Sequence, residues 1–414
     1  MRLNQVNFTA ILRSVARLST QILLVALGAL LATPLHAELV YLEIDAPHSG
    51  DLVNDPIPLV EVRGWAGTGL RGKHDVVIVI DRSGSTFRAS GVDVNGNGIV
   101  GRNFPGEPPD ELMLWTSDYG DTIVSAEELA AHRLVERLDS STTRMGIITF
   151  GGNAKVEAPL GSTREQLLAA LDGLPPRANP NGTNMYGALE TAIDVFNAAP
   201  PEPGQPPRQR EILLLSDGEP TSPPEPRNAA QIISVHAAQN AARAHARIYA
   251  YALGPAAAFA RDRFQEIVNA NGGELVVLDS PGDITSFVPY LSLTSIAKVS
   301  LENATNGEAG RAMRLFPDGT FDGFAPLQPG RNELKFTATS QGGTGATVTR
   351  WLTFEKGLPD PEKMARFKKL LEVRAIETEL AERARVKREE HQRKELEVKP
   401  DLQPMTHAPG LPND

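Results

Sequence analysis

The 414-residue chain contains no cysteine. That excludes a disulfide framework, a lipidated cysteine and a thiolate metal site. Stability must come from packed cores and from any bound ion. Basic residues are also in the minority: 41 Lys and Arg stand against 51 Asp and Glu, a formal charge of −10. Nucleic-acid binding wants a basic face, so that class is set aside. Long apolar runs are missing after the first forty residues, and no later segment is apolar enough to span a membrane. No Gly-x-Ser-x-Gly elbow is present, and no phosphate-loop lysine follows the first buried strand.

The N-terminus reads as an export signal. Arg2, Arg13 and Arg17 precede an apolar run from Ile22 to Ala32, and a small residue, Ala37, comes just before the acidic start Glu38. Removal of residues 1–37 takes away three positive charges and no acids, moving the charge from −10 to −13. An uncleaved anchor is the alternative for this segment. The expected location is exported: periplasmic or secreted, in a bacterial envelope. The mature chain is expected to have no transmembrane segment.

From about residue 73 to 294, near-continuous Val/Ile/Leu strands alternate with helical periodicity. Such strands are buried on both faces of a mostly parallel, doubly wound α/β sheet. Two of them, "VVIVID" and "ILLLSD", end in an acid, Asp81 and Asp217. Ligands bind at the carboxyl ends of strands in such sheets. Asp81, Ser83 and Ser85 follow the spacing D-x-S-x-S, with Arg82 and Gly84 read as spacers; Thr183 lies in a Gly-Thr-Asn turn opening a helix. Two carboxylates and three hydroxyls make a set of hard oxygen donors suited to Mg²⁺, or Mn²⁺. As an alternative, the same residues cap helices at strand ends.

D-x-S-x-S, then Gly-Thr-Asn, then Ser-Asp-Gly, on this order of elements, resembles the von Willebrand factor A domain and its metal-ion-dependent adhesion site. All five motif positions are filled: Asp81, Ser83, Ser85, Thr183 and Asp217. The resemblance implies that Ser83, Ser85 and Thr183 touch the ion and that Asp81 and Asp217 act largely through waters. It also implies a binding module rather than an enzyme, capturing a protein or other ligand whose acidic group completes the metal shell. A metal-dependent hydrolase of the envelope and a helper subunit of an ATPase complex are the alternatives.

Between the metal loop and the first helix, "DVNGNGIVG" places Asp93, Asn95 and Asn97 in alternation, followed by Gly98 and a backbone carbonyl at Ile99. This is the first half of a calcium loop, although its twelfth position is Phe104 rather than Glu; Glu107, Asp110, Asp118 or Asp121 could substitute. An Asn-Gly surface turn is the other reading.

The flanks, residues 38–70 and 296–356, alternate apolar and polar residues between Gly, Pro and Asp-Gly turns, as antiparallel strands do. Neither suffices alone for a seven-strand sandwich. Together they predict one β-sandwich, similar to bacterial immunoglobulin-like domains, with the α/β domain inserted into it. Residues 359–398 predict a charged helix whose apolar stripe (Phe367, Leu370, Leu371, Ile376, Leu380) fades towards a solvated second half. Residues 399–414 read as a disordered tail.

Overall fold

A computed structural model describes residues 39–69, 71–104, 116–175, 182–200, 202–204, 206–223 and 228–398. The signal segment, the C-terminal tail, Glu107 and Asp110 lie outside the described residues.

The α/β part is a six-stranded sheet of β4 (His74–Asp81), β5 (Thr143–Phe150), β6 (Ala154–Ala158), β7 (Gln209–Ser216), β8 (Ala246–Leu253) and β9 (Glu274–Leu278). The spatial order is β6-β5-β4-β7-β8-β9, and only the edge strand β6 runs antiparallel. β4 and β7 are buried almost throughout because helices cover both faces. Val76, Ile78 and Ile80 point to one side, against α1 (Ile123–Arg137) and α2 (Arg164–Asp172). Val77 and Val79 point to the other, against α3 (Met185–Ala198), α4 (Ala229–Arg243) and, beyond the short α5 (Gly254–Phe259), α6 (Arg261–Asn271). The chain winds outward from β4 to β5 and then reverses to β7 on the opposite side. The winding therefore switches at the carboxyl end of β4, where such sheets open a crevice.

The segment "DITSFVPYLSLTSI" closes the alternation and reads in sequence as one more helix, and the structure departs from that. It forms only a four-residue helix, α7 (Ile284–Phe287), between 3₁₀ turns Pro281–Asp283 and Val288–Tyr290. Pro289 has no amide hydrogen to continue the ladder and disfavours helix at the residue before it, which limits any longer helix.

The flanking strands form two further sheets. β1 (Tyr41–Ala46), β3 (Leu59–Gly67), β12 (Arg311–Leu315) and β13 (Thr320–Pro326) make one, in the order β1-β3-β13-β12. β2 (Leu52–Asp55), β10 (Ile296–Asn303), β11 (Glu308–Ala309), β14 (Gly330–Ser340) and β15 (Gly345–Lys356) make the other. The two share one core, with Val62, Ala66 and Phe321 from the first and Leu301, Leu334, Phe336, Leu352 and Phe354 from the second. Strands from before and after the α/β part pair directly, β3 with β13 and β2 with β15. The first flank reads in sequence as two strands, "LVYLEID" and "PLVEVRG", and supplies three, since "LVND" is too short to show alternation. β2 also pairs with β15 in parallel, against the antiparallel expectation for the flanks.

The C-terminal helix, α8 (Pro361–Val398), lies along both parts. Phe367 packs edge-on against Phe324 at 4.9 Å, and the Arg374 guanidinium sits 4.8 Å above the same ring. Farther along, Lys387 pairs with Asp283 at 2.5 Å, Arg388 donates to the Tyr290 carbonyl, and His391 meets the Phe287 ring at 5.8 Å. The second half of α8 is thus docked rather than solvated. Leu370, Ile376 and Leu380, expected in the packed stripe, are exposed.

Candidate metal centre

The carboxyl end of β4 delivers Asp81 with no exposure at all. The chain turns at once, because one Asp81 oxygen accepts the Ser83 amide hydrogen at 2.8 Å and closes a tight local loop. A short 3₁₀ turn, Gly84–Phe87, follows, and the Ser83 side chain makes no capping bond to it. The Ser83 hydroxyl is left facing the Ser85 hydroxyl at 3.3 Å, and Ser85 donates to the Asp217 carboxylate at 2.7 Å. Asp217 stands one residue past β7, the neighbour of β4 across the switch point. Ser216, the last residue of β7, donates to the second Asp81 oxygen at 2.5 Å. Asp81, Ser83, Ser85, Ser216 and Asp217 therefore form one connected network that spans two strand ends.

Thr183 is brought to the same edge but not into that network by a hydrogen bond. Its amide donates to the Thr221 hydroxyl at 2.8 Å, and its carbonyl accepts the Thr221 amide at 3.1 Å. This ties the start of α3 to the segment after Asp217. The next residue, Asn184, caps α3 by accepting the Gly187 amide hydrogen, so the capping role falls to Asn184.

Three participants escaped the sequence reading. Ser216 looked like one more strand residue. Arg82 is not a spacer: it is buried, pairs with Glu128 of α1 and donates to the Pro175 carbonyl, pinning the D-x-S-x-S turn to the α1 side of the sheet. Glu127, also on α1, is fully buried, and neither of its carboxylate oxygens has a hydrogen-bond partner among the described residues.

The electrostatics call for positive charge. Burial raises the Asp81 carboxyl from 3.8 to about 6, against the opposing pull of its Ser216 and Ser83 hydrogen bonds. Burial, and then the neighbouring Asp81 charge, raises Asp217 to about 8. Burial raises Glu127 well above the ordinary carboxylate range, with Asp81, Asp217 and Glu128 adding to it. Burial also raises Glu128, to about 7, although Arg82 works against it. Buried acids in this state fit a divalent cation, as does a donor set made only of hard oxygens. Among the described residues no three His, Asp or Glu side chains converge as a ligand cage.

In the loop after the metal turn, Asp93 accepts the amide hydrogens of Gly96, Asn97 and Gly98. Asp118 is drawn onto the loop, taking the side-chain amides of Asn95 and Asn97 at 3.1 and 2.7 Å. Asp121 accepts from Val94 at 2.8 Å and from Gly101 at 2.8 Å. Of the four acids that could replace the missing Glu, these two are thus the ones seen to close the loop. The Asn95 and Asn97 side-chain oxygens take the amide hydrogens of Asn97 and Ile99.

Comparison with known proteins places the α/β part. Residues 111–219 match the von Willebrand factor type A domain; the match takes in Glu127, Thr183, Ser216 and Asp217 and begins after the D-x-S-x-S turn. No curated protein matches the chain. Among solved structures, the conserved hypothetical protein BatB from Bacteroides thetaiotaomicron is 19% identical; the alignment covers 50% of this chain and 91% of that one, with a TM-score of 0.34. An aerotolerance-related membrane protein from Bacteroides fragilis is 17% identical, covering 51% and 94%, with a TM-score of 0.35. Proximal thread matrix protein 1 from the mussel byssus, with a zinc-occupied MIDAS motif, is 15% identical, covering 52% and 46%, with a TM-score of 0.36. The family match falls within the mostly parallel sheet with helices on both faces: over residues 111–219 the α/β part is similar to the von Willebrand factor type A domain.

Proposed function

We propose that this chain is an exported, metal-dependent binding module that holds Mg²⁺ or Mn²⁺ with Asp81, Ser83, Ser85, Thr183 and Asp217. The observation that carries the reading is the serine–aspartate network at the switch point, whose two carboxyls are buried together and raised in proton affinity. A bound cation would supply an electrophilic position at the sheet rim for an acidic group of a partner protein or other ligand. The chain's own residues orient that position. Ser216 and the Ser83 amide fix the two Asp81 oxygens, Ser85 fixes Asp217, and Arg82 holds the turn against α1. The role is binding rather than catalysis.

The two β-sheets form a single immunoglobulin-like sandwich into which the A domain is inserted; the β3–β13 and β2–β15 pairs support this reading. The loop at Asp93, Asn95, Asn97 and Ile99 takes Ca²⁺ as a secondary site, supported by the approach of Asp118. The N-terminal basic-apolar segment supports an envelope or secreted location. No helix among the described residues is long and apolar enough to cross a membrane.

The test is Mn²⁺ titration of the mature chain followed by electron paramagnetic resonance, with immobilised glutamate-containing peptides as the capture probe. Wild type should bind Mn²⁺ and retain such a peptide only with the ion present; Asp217→Ala should lose both and stay folded. Unchanged Mn²⁺ binding by Asp217→Ala would sink the metal assignment. Peptide or phosphoester hydrolysis that requires Mg²⁺ would replace the binding role with a hydrolase.

A further inference from the structure

Helix α1 packs one stripe on the sheet: Ile123, Ala126, Glu127, Ala130, Ala131, Leu134 and Val135 are all buried. Every member but one is apolar. Helical spacing at this face asks for an aliphatic or alanine side chain, and position 127 carries a carboxylate instead. A carboxyl buried in a core pairs with a cation, holds a metal or takes up a proton, and each is a cost that an apolar side chain would avoid. Glu127 has no cation and no metal beside it among the described residues; neither oxygen meets full hydrogen-bond geometry, and only the Asp81 backbone lies close enough to favour its charged form.

Its surroundings decide what it is for. The groups that bear on Glu127 are carboxylates, Asp81, Asp217 and Glu128, so no side-chain cation balances it. The nearby Arg82 guanidinium is committed to Glu128 and to the Pro175 carbonyl. The start of α1 is fastened to the metal loop, since the Ile123 amide donates to the Arg88 carbonyl at 2.9 Å and Thr122 caps the helix. That attachment holds the Glu127 side chain at a fixed height against the carboxyl end of β4. Glu127, Asp81 and Asp217 do not form a direct carboxylate cage among the described residues, so a contact from Glu127 to an ion would have to run through a water.

We infer that Glu127 is a third acidic member of the metal centre, holding the cation through a bound water from the core side of Asp81. This rests on the metal reading above and adds to it. The centre then carries three fixed negative charges against a divalent ion, so the ion stays resident before any partner arrives. Glu127 is a positioning residue: it acts on the ion's water and touches no partner.

The experiment compares wild type, Glu127→Gln and Asp217→Ala in the mature chain, all carrying Asp93→Ala so that the neighbouring loop does not report. Mn²⁺ affinity is read by electron paramagnetic resonance, and the melting temperature is read in chelator and in saturating Mn²⁺. Removal of an outer-shell partner weakens metal affinity by about 10–100-fold. Glu127→Gln should show a loss of that size, melt above wild type in chelator, and gain less than wild type from Mn²⁺. Glu127→Asp keeps the charge on a shorter arm and should fall between the two, which keeps the question answerable if the glutamine variant folds poorly. If Glu127→Gln and Glu127→Asp both bind Mn²⁺ as wild type does while Asp217→Ala loses it, Glu127 is only a buried acid and the inference falls alone. If wild type shows no Asp217-dependent Mn²⁺ binding, the metal reading falls and takes this one with it.

Discussion

The buried acids make the metal-free protein sensitive to alkali in a direction opposite to ordinary acid denaturation. Asp81 binds its proton more tightly in the folded chain, at about 6, than at its ordinary 3.8. A carboxyl raised on folding contributes stability that is fully present below 3.8 and is lost as pH climbs through about 6. At about 1.4 kcal/mol per pH unit of difference, Asp81 alone accounts for about 3 kcal/mol. Asp217, raised to about 8, overlaps with Asp81 and carries the loss on towards pH 8. For a domain of this size about 3 kcal/mol moves the melting temperature by about 6–12 °C. Carboxyls held low act with the opposite sign, as Glu202 does beside Lys73, so wild type must be read against a variant. The assay is scanning calorimetry in chelator from pH 3 to pH 8, with Asp81→Asn as the reference. The reasoning predicts that the stability of wild type relative to Asp81→Asn declines by about 3 kcal/mol across that range. Saturating Mg²⁺ should remove the decline in wild type. A difference that stays level or grows with pH would refute the argument.

Three further outcomes are expected. Ser216→Ala removes the 2.5 Å bond to the Asp81 carboxylate and should cost about 2 kcal/mol in urea unfolding, with weaker Mn²⁺ binding; wild-type values would make that bond irrelevant. Ca²⁺ should protect residues 90–121 from proteases in wild type and not in Asp93→Ala, while identical cleavage in chelator would leave only a hydrogen-bonded turn. Gly319 has a φ of +82°, and a Cβ there would lie 2.3 Å from the Ala66 carbonyl oxygen, so Gly319→Ala should destabilise by about 2 kcal/mol or more in urea, against no change if the turn can relax.

The legible parts of this molecule are those where neighbouring residues in the chain decide the outcome. β4 and β7 announce themselves because strands covered on both faces need no polar alternation, and Asp81 and Asp217 stand out by ending them. The D-x-S-x-S turn is likewise local. Glu127 was hidden by its neighbour, since two successive glutamates on a helix suggest a solvated face. Its register with Ile123, Ala130 and Leu134 was the available signal. Arg82 could not be read because its partner Glu128 lies 46 residues away. Helix α8 misled for a related reason. Its contact line, which includes Phe367, Arg374, Ala384 and Arg388, is held largely by ion pairs and cation–ring contacts, and an apolar period does not register these.

The Thr68 amide donates to the Thr294 carbonyl at 3.1 Å, which closes the two ends of the α/β part on each other. The two residues are 226 positions apart, and β3 cannot complete its pairing until residues 320–326 exist and arrive beside it. Closing so long a disordered loop is entropically unfavourable, and long-range pairing of this kind is slow. An α/β part that folds first would bring its own two ends together and turn that distant encounter into a local one. Until then β3 offers an unpaired edge, the feature that invites association between chains. Damage inside the α/β part should therefore surface first as aggregation through the strands outside it.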